Sequence, residues 1–293
     1  MSSSPASRGA AARWVLGSPL IIFTLIFVAY PVYQGIQTGS FGLSLQDPTV
    51  PFTGLHNFAA VLTNANFLQA ARFTVLFALT VTVIETVLGF ALALLVNRQF
   101  PGKRAFFTML LIPIMVAPAL LGVMFRLLLN GDIGLVPALL RGVGLDISLF
   151  APDTVIPLLV LLDVLQWTPF TFLIIYAGLQ SFPTDVLEAA QIDGAGRVRT
   201  LGSIVIPIMK PIIFAAVFLR LIDAIRTFDV IYVLTAGGPG TKTTTLSIYI
   251  YKTAFESGQF GMAAAASTIV MVALIPFVPI LVKRIVNPSR AAG

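Results

Sequence analysis

The chain contains no cysteine. Disulfides and cysteine-ligated metals are therefore excluded, and the redox compartment stays open. There is a single histidine, His56, which leaves no material for a histidine-based metal site or catalytic triad. Charge is scarce as well. Asp, Glu, Lys and Arg together make up 10% of the 293 residues, against about 25% in an ordinary soluble domain. No internal repeat stands out, and no nucleophile–base pair or metal-ligand cluster can be assembled. Those gaps weigh against a membrane-embedded enzyme.

What is abundant is apolar surface: 57% of the residues are hydrophobic. Length alone would suggest about two soluble domains. Apolar runs of roughly 18 or more residues override that prior, because they read as membrane spans. Six such runs are present: Val15–Tyr33, Ala70–Val96, Phe106–Leu129, Val155–Leu179, Pro211–Thr235 and Met262–Val282. Backbone groups must be satisfied inside lipid, and strand-like alternation is absent, so the runs are expected to be helices. The fold class is an all-α polytopic membrane protein. Pro113, Pro118 and Pro169 fall inside spans and should kink the third and fourth helices. Residues 1–14 read as a disordered tail, 15–285 as the six-helix domain and 286–293 as a second tail. The first run lacks a small-x-small cleavage site and is read as a retained span.

The net charge of +6 does not indicate nucleic acid, because the basic residues form no single patch. They cluster between spans instead. Arg8, Arg13, Arg98, Lys103, Arg104, Arg197, Arg199, Lys210, Lys283, Arg284 and Arg290 fall on one side. Only Arg141, Lys242 and Lys252 fall on the other. The positive-inside rule then puts both termini and the polar loop 182–210 in the cytoplasm. On the opposite side, Gln34–Gln69 contains no Lys or Arg. Its Asn57-Phe58 and Asn64–Phe67 stretches read as short amphipathic turns, either in a surface loop or in a docking surface for a partner.

The 182–210 loop has an ordered plan. Thr184 is a plausible N-cap. Asp185 and Glu188 place negative charge in the first helical turn, where the dipole favours it. Ala189 and Ala190 are strong, slim helix formers. Asp193 precedes Gly194, which allows a turn at positive φ. A second helix from about Gly196 to Ile206 leads back to the membrane, with Pro207 and Pro211 expected to bend it.

The register Glu188-Ala189-Ala190, three residues, Gly194, nine residues, Ile204-Val205-Ile206-Pro207 resembles the coupling loop of binding-protein-dependent ABC importer permeases. Ile206 stands where the family usually has Leu. Leu234-Thr235-Ala236-Gly237-Gly238-Pro239, the Thr244–Phe255 segment after it and Gly54–Phe58 resemble the maltose-type sugar permease branch. The resemblance covers nearly all of the chain from about residue 15. It implies the type I importer architecture with six transmembrane helices. It also implies a bacterial or archaeal inner-membrane location and no cofactor in this chain. ATP and Mg would belong to two cytoplasmic ATPase subunits. The other implied partners are a second homologous permease, an extracytoplasmic solute-binding protein, membrane lipid and a sugar, a di- or oligosaccharide, moved by alternating access. A polyol or glycerol phosphate cargo stays open, as does an ion-coupled secondary transporter. Gly237 to Thr243 imitates a phosphate-binding loop, but Ala236 and Thr241 stand where that pattern needs glycine.

Ionisable residues within spans are candidates for function. Arg220, Asp223, Arg226 and Asp229 alternate in sign at a spacing of three. They suit a ladder of i, i+3 neighbours, or groups that bind sugar hydroxyls. Glu85 and Asp163 are also intramembrane, and Glu85 is expected to pair with Arg126 or Arg226. The family resemblance carries substrate contacts onto Arg220, Asp223, Ala224 and Thr227, which share one helical face. It carries others onto Gln166, Trp167 and Phe170 around Pro169. Trp167 suits either stacking on a sugar or plain packing.

Overall fold

The computed structural model describes residues 16–276, apart from 21, 24, 47, 48 and 50. The chain divides into two compact units. Among the described residues, those up to 64 with 250–274 form one, and residues 65–249 with 275 and 276 form the other. The regular elements among the described residues are all helices, with one isolated bridge between Phe41 and Phe52. Both expected tails, residue 15 and residues 277–282 of the sixth run lie outside the described residues.

In the first unit, α1 (Leu16–Gly39) is long and apolar enough to cross a membrane. α12 (Phe260–Leu274) packs against its C-terminal half, and the short α2 (His56–Thr63) packs against α12. Gly35 and Gly39 lie one turn apart on α1. A Cβ at Gly39 would sit 3.1 Å from the backbone of Ala265, and one at Gly35 would sit 3.2 Å from Thr268 Oγ1. Small residues on both helices thus let the backbones touch, the usual device where lipid supplies no hydrophobic drive. The Gly54–Phe58 motif has a structural role. Asn57 is buried, and its Nδ2 donates to the carbonyls of Gly39 and Phe41 at 3.0 and 2.9 Å. It closes the end of α1, where carbonyls would otherwise lack partners.

The second unit is built on α3 (Ala65–Val96) and α7 (Val155–Gln180). α3 is apolar on all sides. Phe77, Val81 and Ala93 face the protein, while Val75, Leu79, Val83 and Val87 stay exposed at a spacing of four. Such a helix belongs in a membrane. Gly89 sets the crossing with α7, since a Cβ there would come within 2.8 Å of the Phe172 nitrogen.

The third expected span is broken in two. α4 (Lys103–Met115) and α5 (Pro118–Leu128) meet at an angle of 97°. Pro118 opens α5, and Ala117 before it is extended at ψ 134. A proline disfavours the helical region for the residue before it, and here the chain turns instead of kinking. Pro169, by contrast, lies within an unbroken α7. A short α6 (Leu135–Gly142) follows α5, and α8 (Thr184–Ile192) follows α7.

The fifth expected span is displaced toward the N-terminus. α9 (Arg197–Ile225) runs straight out of the 182–210 loop, and a separate α10 (Asp229–Thr235) follows. A π turn at Leu201–Val205 stands just before Pro207, and in it the Ile206 N–H reaches the Leu201 carbonyl. Widening the turn ahead of Pro207 relieves its clash with the carbonyl four residues earlier. At the break after Ile225, Ser247 Oγ donates to the Arg226 carbonyl at 3.3 Å and Thr245 Oγ1 to the Thr227 carbonyl at 3.1 Å. Those hydroxyls, just before and within α11 (Leu246–Tyr251), satisfy carbonyls that lipid would not.

Candidate substrate pathway and coupling loop

Three helices bring ionisable groups to one buried point. α3 supplies Glu85, α7 supplies Asp163, and α9 supplies Arg220 and Asp223. Glu85 is fully buried and Arg220 is 1% exposed. Arg220 Nε donates to Glu85 Oε2 at 2.5 Å and Nη2 to Glu85 Oε1 at 3.0 Å, a two-pronged pairing. Nη2 also donates to Asp163, and Nη1 donates to Asp223 at 3.2 Å. A guanidinium has five N–H donors, and four contacts use nearly all of them. The Thr171 hydroxyl, one turn of α7 beyond Trp167, donates to the Glu85 carbonyl at 2.9 Å and ties α7 to α3 beside the cluster.

The Trp167 ring lies against this cluster, with its centroid 5.2 Å from the Arg220 guanidinium carbon. Phe170 meets Trp167 edge to face at 6.3 Å. The Asp223 side chain is about half exposed (48%), so it is the one carboxylate of the cluster open to the surface. Thr82 Oγ1, Gln166 Oε1 and Thr168 Oγ1 are buried without a hydrogen-bond partner.

Of the expected pathway residues, Trp167, Phe170, Arg220 and Asp223 therefore come together. Ala224 is packed in the apolar core with Phe77, Leu159 and Ile231. Thr227 lies past the end of α9, so it does not share a helical face with Arg220. The expected charge ladder forms only its first rung. Arg226 ends α9 and Asp229 begins α10, and neither makes an ion pair among the described residues. Neither of the arginines expected for Glu85 reaches it: Arg126 Nη1 donates to the Val233 carbonyl at 3.2 Å. Glu85 and Asp163 are the principal partners of Arg220. The sequence marks them only as costly intramembrane acids.

The 182–210 loop forms α8 and a tight return. α8 begins at Thr184 itself, one residue earlier than a Thr184 cap would give. Glu188, Ala189 and Asp193 are exposed, while Ala190 is buried. Gly194 has φ +72, as its place in the turn requires, and open space surrounds its Cα. Ile192 and Val198, on either side of the turn, are each 86% exposed. Two large apolar side chains held out by a rigid loop form a surface suited to a protein partner.

Residues 85–291 match the family of binding-protein-dependent transport system inner membrane components. The chain belongs to this family. It is a permease subunit of an ABC importer, a transport component and not an enzyme, and a multi-pass protein of the cell membrane. The permease is 34% identical to the trehalose/maltose transport system permease protein of Thermococcus litoralis, over 94% of each chain. It is 33% identical to the sulfoquinovosyl glycerol transport system permease protein of Agrobacterium fabrum, over 93% of this chain and 89% of that one. It is also 33% identical to the sn-glycerol-3-phosphate transport system permease protein of the same organism, over 89% and 90%. A chain of a bacterial ABC transporter involved in import of the acidic polysaccharide alginate shares the fold. Its TM-score is 0.77 at 22% identity, over 96% of this chain and 99% of that one.

Within the permease, the Gly-Gly-Pro motif is a self-satisfied knot. Gly237 has φ +85, and a Cβ there would lie 2.5 Å from Thr244 Oγ1. Thr243 and Thr244 donate to the carbonyls of Gly238 and Gly237 at 2.7 and 3.1 Å. Thr241 donates to Gln69 of α3 at 3.1 Å. The motif holds the segment after α10 in place through its own hydroxyls.

Proposed function

We infer that the permease moves an uncharged sugar by alternating access. Its partners are a second permease subunit, two ATPase subunits and an extracytoplasmic solute-binding protein. The observation that carries the cargo assignment is the Trp167–Arg220–Asp223 arrangement. An aromatic ring and a half-exposed carboxylate suit the apolar faces and hydroxyls of a sugar. Arg220 is nearly spent on Glu85, Asp163 and Asp223, so the cluster offers three carboxylates around one guanidinium. An anionic cargo would find Arg220 already engaged and would meet the half-exposed Asp223 carboxylate. That weighs against glycerol phosphate, the cargo named for one relative, and in favour of a neutral sugar such as those named for another. The coupling surface is α8 with Glu188, Ala189, Ala190, Asp193 and Gly194, and the exposed Ile192 and Val198 beside the turn support that role.

The test is uptake into proteoliposomes that contain the assembled transporter and its binding protein. Uptake of a neutral disaccharide is expected to require internal ATP and Mg and to be indifferent to a protonophore. Trp167→Ala should assemble normally and lower uptake several-fold, because an aromatic contact contributes about 1 kcal/mol. Protonophore-sensitive uptake without ATP would assign an ion-coupled carrier instead. Uptake of glycerol 3-phosphate in preference to disaccharides would overturn the cargo reading.

A further inference from the structure

A cavity of about 690 Å³ opens behind the coupling loop, where α3 and α7 end and α9 begins. Its chemistry is two-sided. The floor is apolar, with Leu179 and Val205 buried and Leu94, Leu187 and Leu201 half-buried. The rim is cationic: Arg98 and Arg197 both line the cavity, and both are exposed. Neither arginine makes an ion pair among the described residues. Asn97, which also lines it, accepts a hydrogen bond from Gln180 Nε2 at 2.7 Å, which joins the ends of α3 and α7. The positive-inside asymmetry puts these helix ends at the cytoplasmic face of the bilayer.

We propose that this cavity is a binding site for an anionic phospholipid of the cytoplasmic leaflet. Arg98 and Arg197 hold the headgroup phosphate, and part of an acyl chain lies on the leucine floor. Two uncompensated arginines call for an anion. No acidic side chain of residues 1–15 or 277–293 is available to pair with them, since these stretches contain basic side chains and no Asp or Glu. A soluble phosphate would satisfy the rim and leave the apolar floor wet. A phospholipid satisfies both. Basic pockets between spans on the cytoplasmic side take such headgroups. The occupant would bridge the end of α3, through Arg98, to the start of α9, through Arg197. It would therefore brace the loop that carries Glu188–Gly194.

The experiment uses the full-length chain in nanodiscs that contain phosphatidylglycerol and phosphatidylcholine. Native mass spectrometry then counts the lipids retained after release. The wild type should retain phosphatidylglycerol selectively. Arg98→Gln with Arg197→Gln should weaken that retention about thirtyfold, the factor expected for two basic residues beside an anionic surface. Arg98→Lys with Arg197→Lys should keep most of it. Equal retention by wild type and the Gln variant would overturn the site. Displacement of the retained lipid by millimolar inorganic phosphate would reassign it to a free anion. In the assembled transporter, a Gln variant that retains its lipid but no longer holds the ATPase subunits would reassign the arginines to that interface.

Discussion

Arg220 shows how one side chain sets the energetics of a membrane bundle. Removing one partner of a buried ion pair costs about 3–5 kcal/mol, because the other charge is stranded in a low dielectric. Replacing the whole cluster with apolar groups of similar size is far milder by the same reasoning. Arg220→Met should therefore sharply reduce the yield of folded permease, read as the monodisperse peak in detergent chromatography. Arg220→Met combined with Glu85→Leu and Asp163→Leu should recover much of it, while transport stays impaired through loss of the Trp167 face. A triple variant no better folded than the single one would mean that the cluster does not act through charge burial. The cost of these groups was legible in the sequence, and so were Trp167 and Asp223 as neighbours of a candidate pathway. The identity of the partners was not. The i, i+3 rule is local, and it pointed to a ladder along one helix. Helix packing instead carries Glu85 and Asp163 to Arg220, and α9 ends before the ladder can continue.

At the scale of elements, local rules gave mixed returns. The turn at Gly194 was readable because a glycine between two helical segments has few other uses, and φ +72 agrees with it. No atom lies within 4 Å of where its Cβ would be, so a side chain there is opposed by backbone conformation alone. Asn tolerates the left-handed region and a β-branched residue does not. Gly194→Asn should accordingly keep transport coupled to ATP hydrolysis, and Gly194→Val should insert normally with strain of about 1–3 kcal/mol at the turn. Hydrolysis should then proceed without proportionate uptake in the Val variant alone. Equal coupling in the two variants would remove Gly194 from the coupling path. The prolines were harder to read. Pro118 breaks its span by 97°, Pro169 leaves α7 unbroken and Pro207 sits behind a π turn. Sequence marks the missing N–H in all three cases. What neighbouring hydroxyls, carbonyls and packing do about it depends on contacts far along the chain.

For the whole molecule, the absence of cysteine turns from an exclusion into a tool. Orientation rests on eleven basic residues against three, a summed bias that no single contact can report. The ends of the described elements give places to test it. Ser148 and Thr241 are exposed beyond the ends of α6 and α10, on the side poor in Lys and Arg. Gly102 and Gly196 are exposed at the starts of α4 and α9, on the opposite side. A single cysteine at Ser148 or Thr241 should react with an impermeant maleimide added to intact cells. One at Gly102 or Gly196 should react only after the membrane is opened. The 97° break between α4 and α5 makes the test sharper, because a re-entrant hairpin would return residue 148 to the side of Gly102. Like reactivity of Ser148→Cys and Gly102→Cys, with Gly196→Cys opposite to both, would thus identify a re-entrant α4–α5 pair and five crossings. Labelling of Ser148→Cys and Thr241→Cys from outside, with both glycine positions protected, requires α4 and α5 to cross as one broken span. The reverse pattern at all four sites would invert the protein and take the coupling loop away from the cytoplasmic ATP on which the proposed transport depends.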